Sequence, residues 1–156
     1  MNERLRERYL ASGMLPKHLG MTFDVWTGND EIKTRLMEWG YPHVSPNLLF
    51  TGPTGTGKSF ALAAVANRVG ETVRIQFLRS VDLMGRLRQA ATDDYETPEE
   101  WIDDLIRGRG YIFIDDLGTE RPTEFVQEKL FDLFDRIELH NRHGVIITTN
   151  LNADEL

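Results

Sequence analysis

The sequence predicts an α/β domain built around a parallel sheet, and three observations lead to this prediction. Short apolar runs alternate with amphipathic segments of helical length along the chain. One apolar run, at residues 48–50, is followed by a glycine-rich turn and then by a helical segment. Another, at residues 111–114, ends in two aspartates and is continuously hydrophobic, as a strand buried on both faces of a parallel sheet should be.

The length and composition are consistent with one such domain. The chain has 156 residues, with 18 Lys and Arg against 25 Asp and Glu, and its net charge of −7 excludes a uniformly basic nucleic-acid-binding surface. It has no cysteine, which excludes disulfides and thiolate zinc sites. No apolar stretch is long enough to cross a membrane, and the N-terminus lacks the apolar core of a secretion signal. We therefore expect a cytoplasmic protein with no membrane partner.

Two helices are predicted before the first strand. One covers residues 2–12, and the other begins at a cap formed by Asn29 or Asp30 and ends near Gly40. The second helix is expected to present an apolar stripe made of Ile32, Leu36 and Met37.

The middle of the chain predicts further alternation. A helix is expected at about residues 58–69, and residues 73–77 alternate as a strand does. Ser80 is a candidate cap for the next helix, while Thr97 and Glu100 form a capping box that begins another.

Two elements complete the predicted domain. A long helix follows Pro122, and the last buried strand covers residues 145–147. The apolar stripe of the long helix is predicted to contain Phe125, Leu130, Phe134 and Ile137.

The glycine-rich turn carries the clearest chemistry. Residues 52–59 read GPTGTGKS and match GxxxxGK[ST] between a predicted strand and a predicted helix. Glycines allow a tight turn whose N–H groups point at a phosphate at the helix N-terminus. We expect Lys58 to reach the β and γ phosphates and Ser59 to ligate Mg²⁺. The residues expected around the nucleotide are Gly52, Pro53, Thr54, Gly55, Thr56, Gly57, Lys58, Ser59 and Phe60. A glycine-rich turn with a chance lysine is the alternative.

The two aspartates after the second apolar run form an acidic feature at a strand end. Residues 112–118 read IFIDDLG, and ligands of open α/β sheets lie at the carboxyl ends of strands. Asp115 is predicted to hold Mg²⁺, and Asp116 to act as the base that polarises water. The alternatives are an ordinary acidic turn and the DxxG sequence of a GTPase, although no guanine-reading NKxD sequence follows.

The last predicted strand also ends in polar residues. Residues 145–150 read VIITTN, which places Asn150 where it can orient water or contact the γ phosphate. Thr148 and Thr149 are alternatives for the same role. Asparagine also commonly ends strands for reasons of turn geometry.

These motifs, in this order, resemble those of the AAA+ ATPases. Their individual residues are similar to those of the DnaC-type helicase loaders and the IstB-type transposition helper ATPases. The matching stretches are GMLPKHLGMTFDVW at 13–26, NLLFTGPTGTGKSFALAAVAN at 47–67, IFIDDLGTE at 112–120 and VIITTNLN at 145–152. The resemblance implies a three-layer P-loop core that binds ATP with Mg²⁺. It also implies that residues 22–24 lie near the adenine, with Phe23 as a contact, and core packing is the alternative for Phe23.

The resemblance further implies hydrolysis of ATP, with Lys58, Asp116 and Asn150 as the catalytic residues. The implied role is that of a helper in helicase loading during DNA replication or in DNA transposition. The implied partners are single-stranded DNA, a replicative helicase or a transposase, and an ATP-dependent homo-oligomer.

The chain departs from the family pattern at its two ends and at the residue expected to act as the general base. Family members usually continue into a fifth core strand and a helical lid that carries the sensor arginine, so we expect slow hydrolysis from a sequence that stops at Leu156. Loaders usually carry a separate N-terminal domain, whereas here residues 1–21 are predicted as a short N-terminal segment and residues 22–156 as the core. The base is Asp116 where glutamate is common.

Several arginines are candidates for partner contacts. The family places a DNA-contacting helix where Arg79, Arg86 and Arg88 lie, and a solvated helix face is the alternative. Candidates for contacts across a subunit boundary, each of which can also be structural, are Arg121, Arg136 and Arg142.

Two other functions remain open from the sequence. One is a small-molecule P-loop kinase, although no arginine-rich lid sequence follows Asn150. The other is an interaction module that binds nucleotide with little hydrolysis.

Overall fold

The computed structural model describes residues 1–40, 46–107, 110–118, 122–140 and 144–151. Short 3-10 helices lie at Pro16–Gly20 and Phe23–Val25. In chain order the remaining elements are α1 (Glu3–Ala11), α2 (Asp30–Glu38), β1 (Leu48–Phe50), α3 (Lys58–Gly70), β2 (Ile75–Arg79), α4 (Ser80–Ala90), α5 (Pro98–Arg107), β3 (Tyr111–Leu117), α6 (Glu124–His140) and β4 (Val145–Thr149).

The four strands form one parallel sheet in the order β1-β4-β3-β2. β4 lies between β1 and β3, so the chain leaves β1 through α3 and returns to the far edge of the sheet at β2. Because all the strands run in one direction, their carboxyl ends meet at a single edge. The predicted α/β fold with a parallel sheet is confirmed, and the glycine-rich turn and both aspartates lie at that edge.

The side chains of the two central strands alternate between the two faces of the sheet, and each face packs against its own layer of helices. Phe113 and Ile146 are buried with α1, α2 and α3 on one face of the sheet. Ile112, Ile114 and Val145 are buried with α4, α5 and α6 on the other face. Successive side chains of a strand point to opposite faces, so a continuously apolar strand fills both cores. The result is the three-layer architecture that the sequence predicts.

The N-terminal segment packs onto α3. The Asn67 side-chain amide donates to the carbonyl oxygens of His18 and Met21, both at 2.8 Å, and the Tyr9 hydroxyl donates to the Asn67 carbonyl. Tyr9 and Met14 are buried in the same core as α3. The domain boundary between residues 21 and 22 stays a prediction.

Local capping patterns account for some helix starts and not others. The predicted capping box is present, since the Glu100 carboxylate accepts from the Thr97 N–H at 2.8 Å and the Thr97 hydroxyl accepts from the Glu100 N–H at 3.2 Å. The prediction of Ser80 as a cap is wrong. β2 runs directly into α4, so Ser80 is the first helical residue, and its buried hydroxyl has no partner in the described part of the chain.

Two predicted apolar stripes differ in their burial. On α2, Leu36 is buried, but Ile32 and Met37 are 51% and 47% exposed. On α6, Val126, Leu133 and Ile137 are buried, and the predicted Phe125, Leu130 and Phe134 are half-buried around them. Within the described ranges, no helix combines the length and the apolar composition needed to cross a membrane.

Candidate functional site

The glycine-rich turn connects β1 to α3 and needs glycine for its backbone. Gly52, Gly55 and Gly57 have φ values of 136°, 85° and 88°. A Cβ at Gly55 or Gly57 would meet nothing within 4 Å, so backbone conformation and not crowding requires glycine there. Gly57 is the N-cap of α3, and among the described residues no side chain caps this helix. Its first N–H groups are therefore available to an anion.

The Lys58 side chain folds back across this turn. Its ammonium donates to the carbonyl oxygens of Gly52 and Pro53, at 2.7 and 2.9 Å. The Thr56 hydroxyl also donates to the Pro53 carbonyl, at 2.9 Å. These contacts pre-form the loop, and Thr54 and Gly55 are exposed at its tip.

Ser59, Asp115 and Thr148 meet at the carboxyl edge of the sheet. The hydroxyls of Ser59 and Thr148 donate to Asp115 Oδ1, at 2.8 and 2.7 Å. Asp115 is only 8% exposed. A buried carboxylate is costly without donors, and the two hydroxyls supply them.

Asp116 lies in an irregular part of β3. The register of β3 against β4 shifts between Ile114 and Leu117, and Asp116 has a left-handed φ of 64°. Its N–H donates to the Thr148 hydroxyl at 2.7 Å, and its Oδ1 accepts from the Asn150 side-chain amide at 2.7 Å. The structure therefore brings the acidic pair into contact with the polar end of β4.

A cleft of about 740 Å³ extends from the glycine-rich turn toward α2. Such a volume is typical of small-molecule sites, which span about 300–1,000 Å³. Thr56, Gly57 and Lys58 line its polar end. Its apolar wall consists of Trp26, Ile32, Leu36, Leu49, Phe50, Phe60 and Ala61. The exposure of Ile32, unexpected for an apolar helical residue, follows from its place in this wall.

The burial of Phe23 agrees with the alternative of core packing. Phe23 is 8% exposed, and its ring lies 5.8 Å from that of Trp26. The Trp26 ring in turn lies 5.8 Å from that of Phe60, edge to face. Phe23 thus packs behind Trp26, which faces the cleft. Sequence reasoning missed Trp26, although it lies in the stretch at 13–26 that carried the resemblance.

His18 is a buried titratable group in the 3-10 helix at Pro16–Gly20. Its ring packs 4.8 Å from that of Phe77, and its Nδ1 accepts from the Leu15 N–H at 3.1 Å. Burial and then the charge of Lys17 lower the pKa of His18, while the Asp115 carboxylate opposes the shift. Because Nδ1 accepts a hydrogen bond, it carries no proton, and the imidazole is neutral in this arrangement.

The predicted DNA-contacting arginines include Arg79 and Arg86, which both contact acids. Arg79 makes two hydrogen bonds to the Asp82 carboxylate, at 2.5 and 2.7 Å. Arg86 contacts Glu96 at 3.0 Å, and its guanidinium lies 5.8 Å from the centre of the Trp101 ring. Arg88 is exposed near the end of α4. The structure thus places the Arg79 and Arg86 side chains against Asp82 and Glu96.

The predicted boundary arginines can be placed only in part. Arg136 donates to Asp103 and Asp132, at 2.5 and 2.8 Å, and joins α6 to α5. This position agrees with the structural alternative for Arg136. Arg121 and Arg142 lie outside the described residues.

Comparison with known proteins gives a family match over nearly the whole chain. The family model described as IstB-like ATP binding protein matches residues 4–156. The chain is 32% identical over 113 residues to the uncharacterized protein YdaV of Escherichia coli, covering 70% of this chain and 44% of that protein. It is 26% identical over 110 residues to the replicative helicase loader DnaI of Bacillus subtilis, covering 70% of this chain and 34% of that protein. The chain therefore spans less than half the length of these two relatives.

A solved structure supports the fold. The crystal structure of the DnaC helicase loader aligns with a TM-score of 0.71 at 20% identity, over 88% of this chain and 81% of that one. At this level of identity, the likeness concerns the architecture alone. It supports the α/β architecture with a parallel sheet described above.

Proposed function

Because this chain belongs to the family of IstB-like ATP-binding proteins, we propose that it binds ATP with Mg²⁺ in the cleft and hydrolyses it slowly. In this proposal it acts as a helper that loads a replicative helicase or assists a transposase on DNA. The observation that carries the proposal is the 2.8 Å contact between the Ser59 hydroxyl and the Asp115 carboxylate, beside the phosphate-binding turn.

The donor set fits Mg²⁺. This ion prefers oxygen ligands and is usually held by one or two carboxylates together with substrate phosphates and water. Ser59 Oγ and Asp115 Oδ1 are such oxygens, and they lie together at the carboxyl end of β3. Ser59 and Asp115 would hold the ion, which would supply the positive charge that neutralises the β and γ phosphates.

The turn and Lys58 would hold the phosphates. Lys58 makes its two contacts with carbonyl oxygens of the turn itself, so its ammonium already lies where the phosphates would enter. We propose that it exchanges these carbonyls for the β and γ phosphate oxygens, while the N–H groups at the start of α3 bind the same oxygens.

The adenine would lie against the apolar wall. Trp26, Ile32 and Phe60 belong to this wall, and the rings of Trp26 and Phe60 are 5.8 Å apart. An aromatic side chain stacks on a purine by its π face. In this proposal Trp26 makes the base contact that the sequence assigned to Phe23, which would support Trp26 from behind.

Hydrolysis would use Asp116 and Asn150. Asp116 would accept the proton of the attacking water, and the amide of Asn150 would fix the orientation of its carboxylate through the 2.7 Å contact. An aspartate reaches one methylene less far than the glutamate common in AAA+ proteins. We propose slow turnover for this reason.

The proposed partners follow from the relatives and from α4. DnaI is named as a replicative helicase loader, and we propose a replicative helicase or a transposase as the protein partner here. Single-stranded DNA would contact Arg79, Arg86 and Arg88, within an ATP-dependent homo-oligomer that multiplies the few contacts of one subunit.

The test measures nucleotide binding and turnover together. ATP should bind more tightly with Mg²⁺ than without, and hydrolysis should be slow but measurable, with single-stranded DNA present and absent. Lys58→Ala should abolish binding, whereas Lys17→Ala, at an exposed lysine of a 3-10 helix, should not. Unchanged affinity and rate in Lys58→Ala would reject the site.

The same assay separates the other functions. Transfer of phosphate to a small molecule would favour a kinase. Tight binding with no turnover under any condition would favour an interaction module.

A further inference from the structure

We propose that Thr148 is a positioning residue whose single hydroxyl fixes the Asp115 carboxylate relative to the Asp116 backbone. Its catalytic consequence rests on the proposed ATP hydrolysis. This role differs from contact with water or with the γ phosphate, because Thr148 acts through the two aspartates.

The hydroxyl makes two hydrogen bonds of opposite sense. Thr148 Oγ1 donates to Asp115 Oδ1 at 2.7 Å and accepts from the Asp116 N–H at 2.7 Å. A hydroxyl carries one proton and two acceptor lone pairs, so both bonds can form at once. Thr148 is 1% exposed, which leaves little access for water to replace either partner.

The strand register makes Thr148 the residue opposite both aspartates. Ile114 pairs with Ile147 and Leu117 pairs with Thr149, so two residues of β3 stand against one residue of β4. This count defines a β-bulge, and bulges re-aim side chains next to active sites. In a regular strand, the consecutive side chains of Asp115 and Asp116 would point to opposite faces of the sheet.

The bulge includes a backbone conformation that non-glycine residues seldom adopt. Asp116 has a φ of 64°, in the left-handed region where aspartate is better tolerated than most residues. Such a conformation persists only where its surroundings over-determine it. The Thr148 hydroxyl holds the Asp116 N–H, and the Asn150 amide holds the Asp116 carboxylate, so the residue is fixed at both ends.

It follows that Thr148 sets the spacing between the proposed metal ligand and the proposed base. Without the hydroxyl, Asp115 would lose one of its donors and the Asp116 N–H would lose its acceptor. Both carboxylates would remain in the chain, but their relative placement would no longer be fixed. The loss should therefore appear in kcat and in the Mg²⁺ requirement. At saturating Mg²⁺ the KM for ATP should change little, because it depends on the turn and Lys58.

The experiment compares Thr148→Val, which keeps the shape of the side chain, with Thr148→Ser, which keeps the hydroxyl. Removing a side chain that hydrogen-bonds to a metal ligand typically costs roughly 10- to 100-fold in metal affinity or activity. We expect a loss of that size in kcat and Mg²⁺ affinity for Thr148→Val, and recovery of most of both in Thr148→Ser.

A neighbouring threonine provides a matched control. Thr149 is also buried, and its hydroxyl donates to the Leu117 carbonyl at 2.6 Å and accepts from the Leu151 N–H. Thr149→Val removes a buried hydroxyl from the same strand. The loss of kcat in Thr148→Val should exceed that in Thr149→Val. Equal losses, or wild-type kcat in Thr148→Val, would overturn the positioning role.

Amide hydrogen exchange tests the inference independently of hydrolysis. In the wild-type chain the Asp116 amide should exchange slowly, and in Thr148→Val it should exchange faster. Fast exchange of this amide in the wild-type chain would refute the inference even if Thr148→Val fails to fold. If the wild-type chain binds no ATP, the proposed function fails, and the exchange of the Asp116 amide still decides the role of Thr148.

Discussion

At the residue scale, two consecutive aspartates at the end of β3 have different surroundings. Asp115 is buried and accepts from two hydroxyls, whereas Asp116 has a left-handed backbone and accepts from the Asn150 amide. The different contacts assign different roles in the proposed mechanism. Asp115 would hold the metal, and Asp116 would receive the proton of water.

The first prediction concerns Asp116→Asn. This change keeps the size of the side chain but removes the carboxylate that would accept a proton, and loss of a general base commonly costs about 10² to 10⁴ in rate. We expect that loss in steady-state ATP turnover, with the affinity for ATP and Mg²⁺ unchanged in a titration with a fluorescent analogue. If binding falls as much as turnover, Asp116 is structural. Asp115→Asn is the comparison, and it should weaken Mg²⁺-dependent binding as well.

The second prediction concerns the aromatic wall. Loss of an aromatic side chain that stacks on a base costs about 1–3 kcal/mol per base, so Trp26→Ala should weaken ATP binding about 5- to 150-fold. Phe23→Leu should destabilise the fold and leave the affinity nearly unchanged, because Phe23 packs behind Trp26. Isothermal titration of both variants checks this. A larger affinity loss in Phe23→Leu than in Trp26→Ala would return the base contact to Phe23.

At the scale of elements, the sequence predicts what local patterns determine. The box of Thr97 and Glu100, the glycine-rich turn and the buried strand with its two aspartates depend on residues close in sequence. What it could not predict depends on contacts across the sheet. The bulge at Asp116 forms against Thr148, 32 residues later, and the cleft wall combines Trp26 with Phe60 of α3. No local pattern specifies these pairs.

The third prediction concerns the 3-10 helix that carries His18. Burial lowers the pKa of His18 in the folded chain, whereas in the unfolded chain histidine binds a proton near pH 6.5. Below about pH 6.5 the unfolded chain thus binds more protons, and the free energy of unfolding falls as the pH falls, by at most about 1.4 kcal/mol per pH unit from this group.

The variant His18→Asn isolates this contribution. Its side-chain oxygen can accept from the Leu15 N–H in place of Nδ1, and it does not titrate. Urea unfolding of both chains at pH 7, 6 and 5 should show a steeper loss of stability in the wild type. Parallel pH profiles would mean that His18 does not titrate differently in the two states.

The fourth prediction concerns the arginines of α4. With three phosphate contacts to single-stranded DNA, the logarithm of the affinity should fall with the logarithm of the salt concentration at a slope of about −2, at roughly 0.7 per contact. Asp82 and Glu96 compete for Arg79 and Arg86. The variants Asp82→Asn and Glu96→Gln should therefore bind DNA more tightly, with a slope closer to −2 than that of the wild type.

Salt titrations of fluorescence anisotropy measure this effect, and Arg86→Ala with Arg88→Ala is the opposing variant. This double variant should bind DNA more weakly, and its salt slope should be closer to zero than that of the wild type. If neither set of changes alters DNA binding, α4 presents an ordinary solvated face.

At the scale of the whole molecule, the sheet edge connects the two helical layers. The layer of α1 to α3 supplies helices that line the cleft and follows the glycine-rich turn, while the layer of α4 to α6 carries Arg86 and Arg88. The acids at the end of β3 lie between them, in contact with both α3 and β4. A nucleotide that contacts the turn and these acids would therefore couple elements that are distant in sequence.

The last prediction follows from this coupling. A ligand that binds only the folded chain stabilises it by about 2.7 kcal/mol at a concentration 100 times its Kd. For a domain of about 150 residues, each kcal/mol raises Tm by about 2–4 °C, so ATP with Mg²⁺ should raise Tm by about 5–11 °C. Calorimetry of the wild type with and without nucleotide measures the shift. Lys58→Ala should remove the shift, because the phosphates would lose their contact with the Lys58 ammonium. Asp116→Asn should keep the shift, because that side chain would act on water and not on bound nucleotide. A shift that survives in Lys58→Ala would place the nucleotide elsewhere on the molecule.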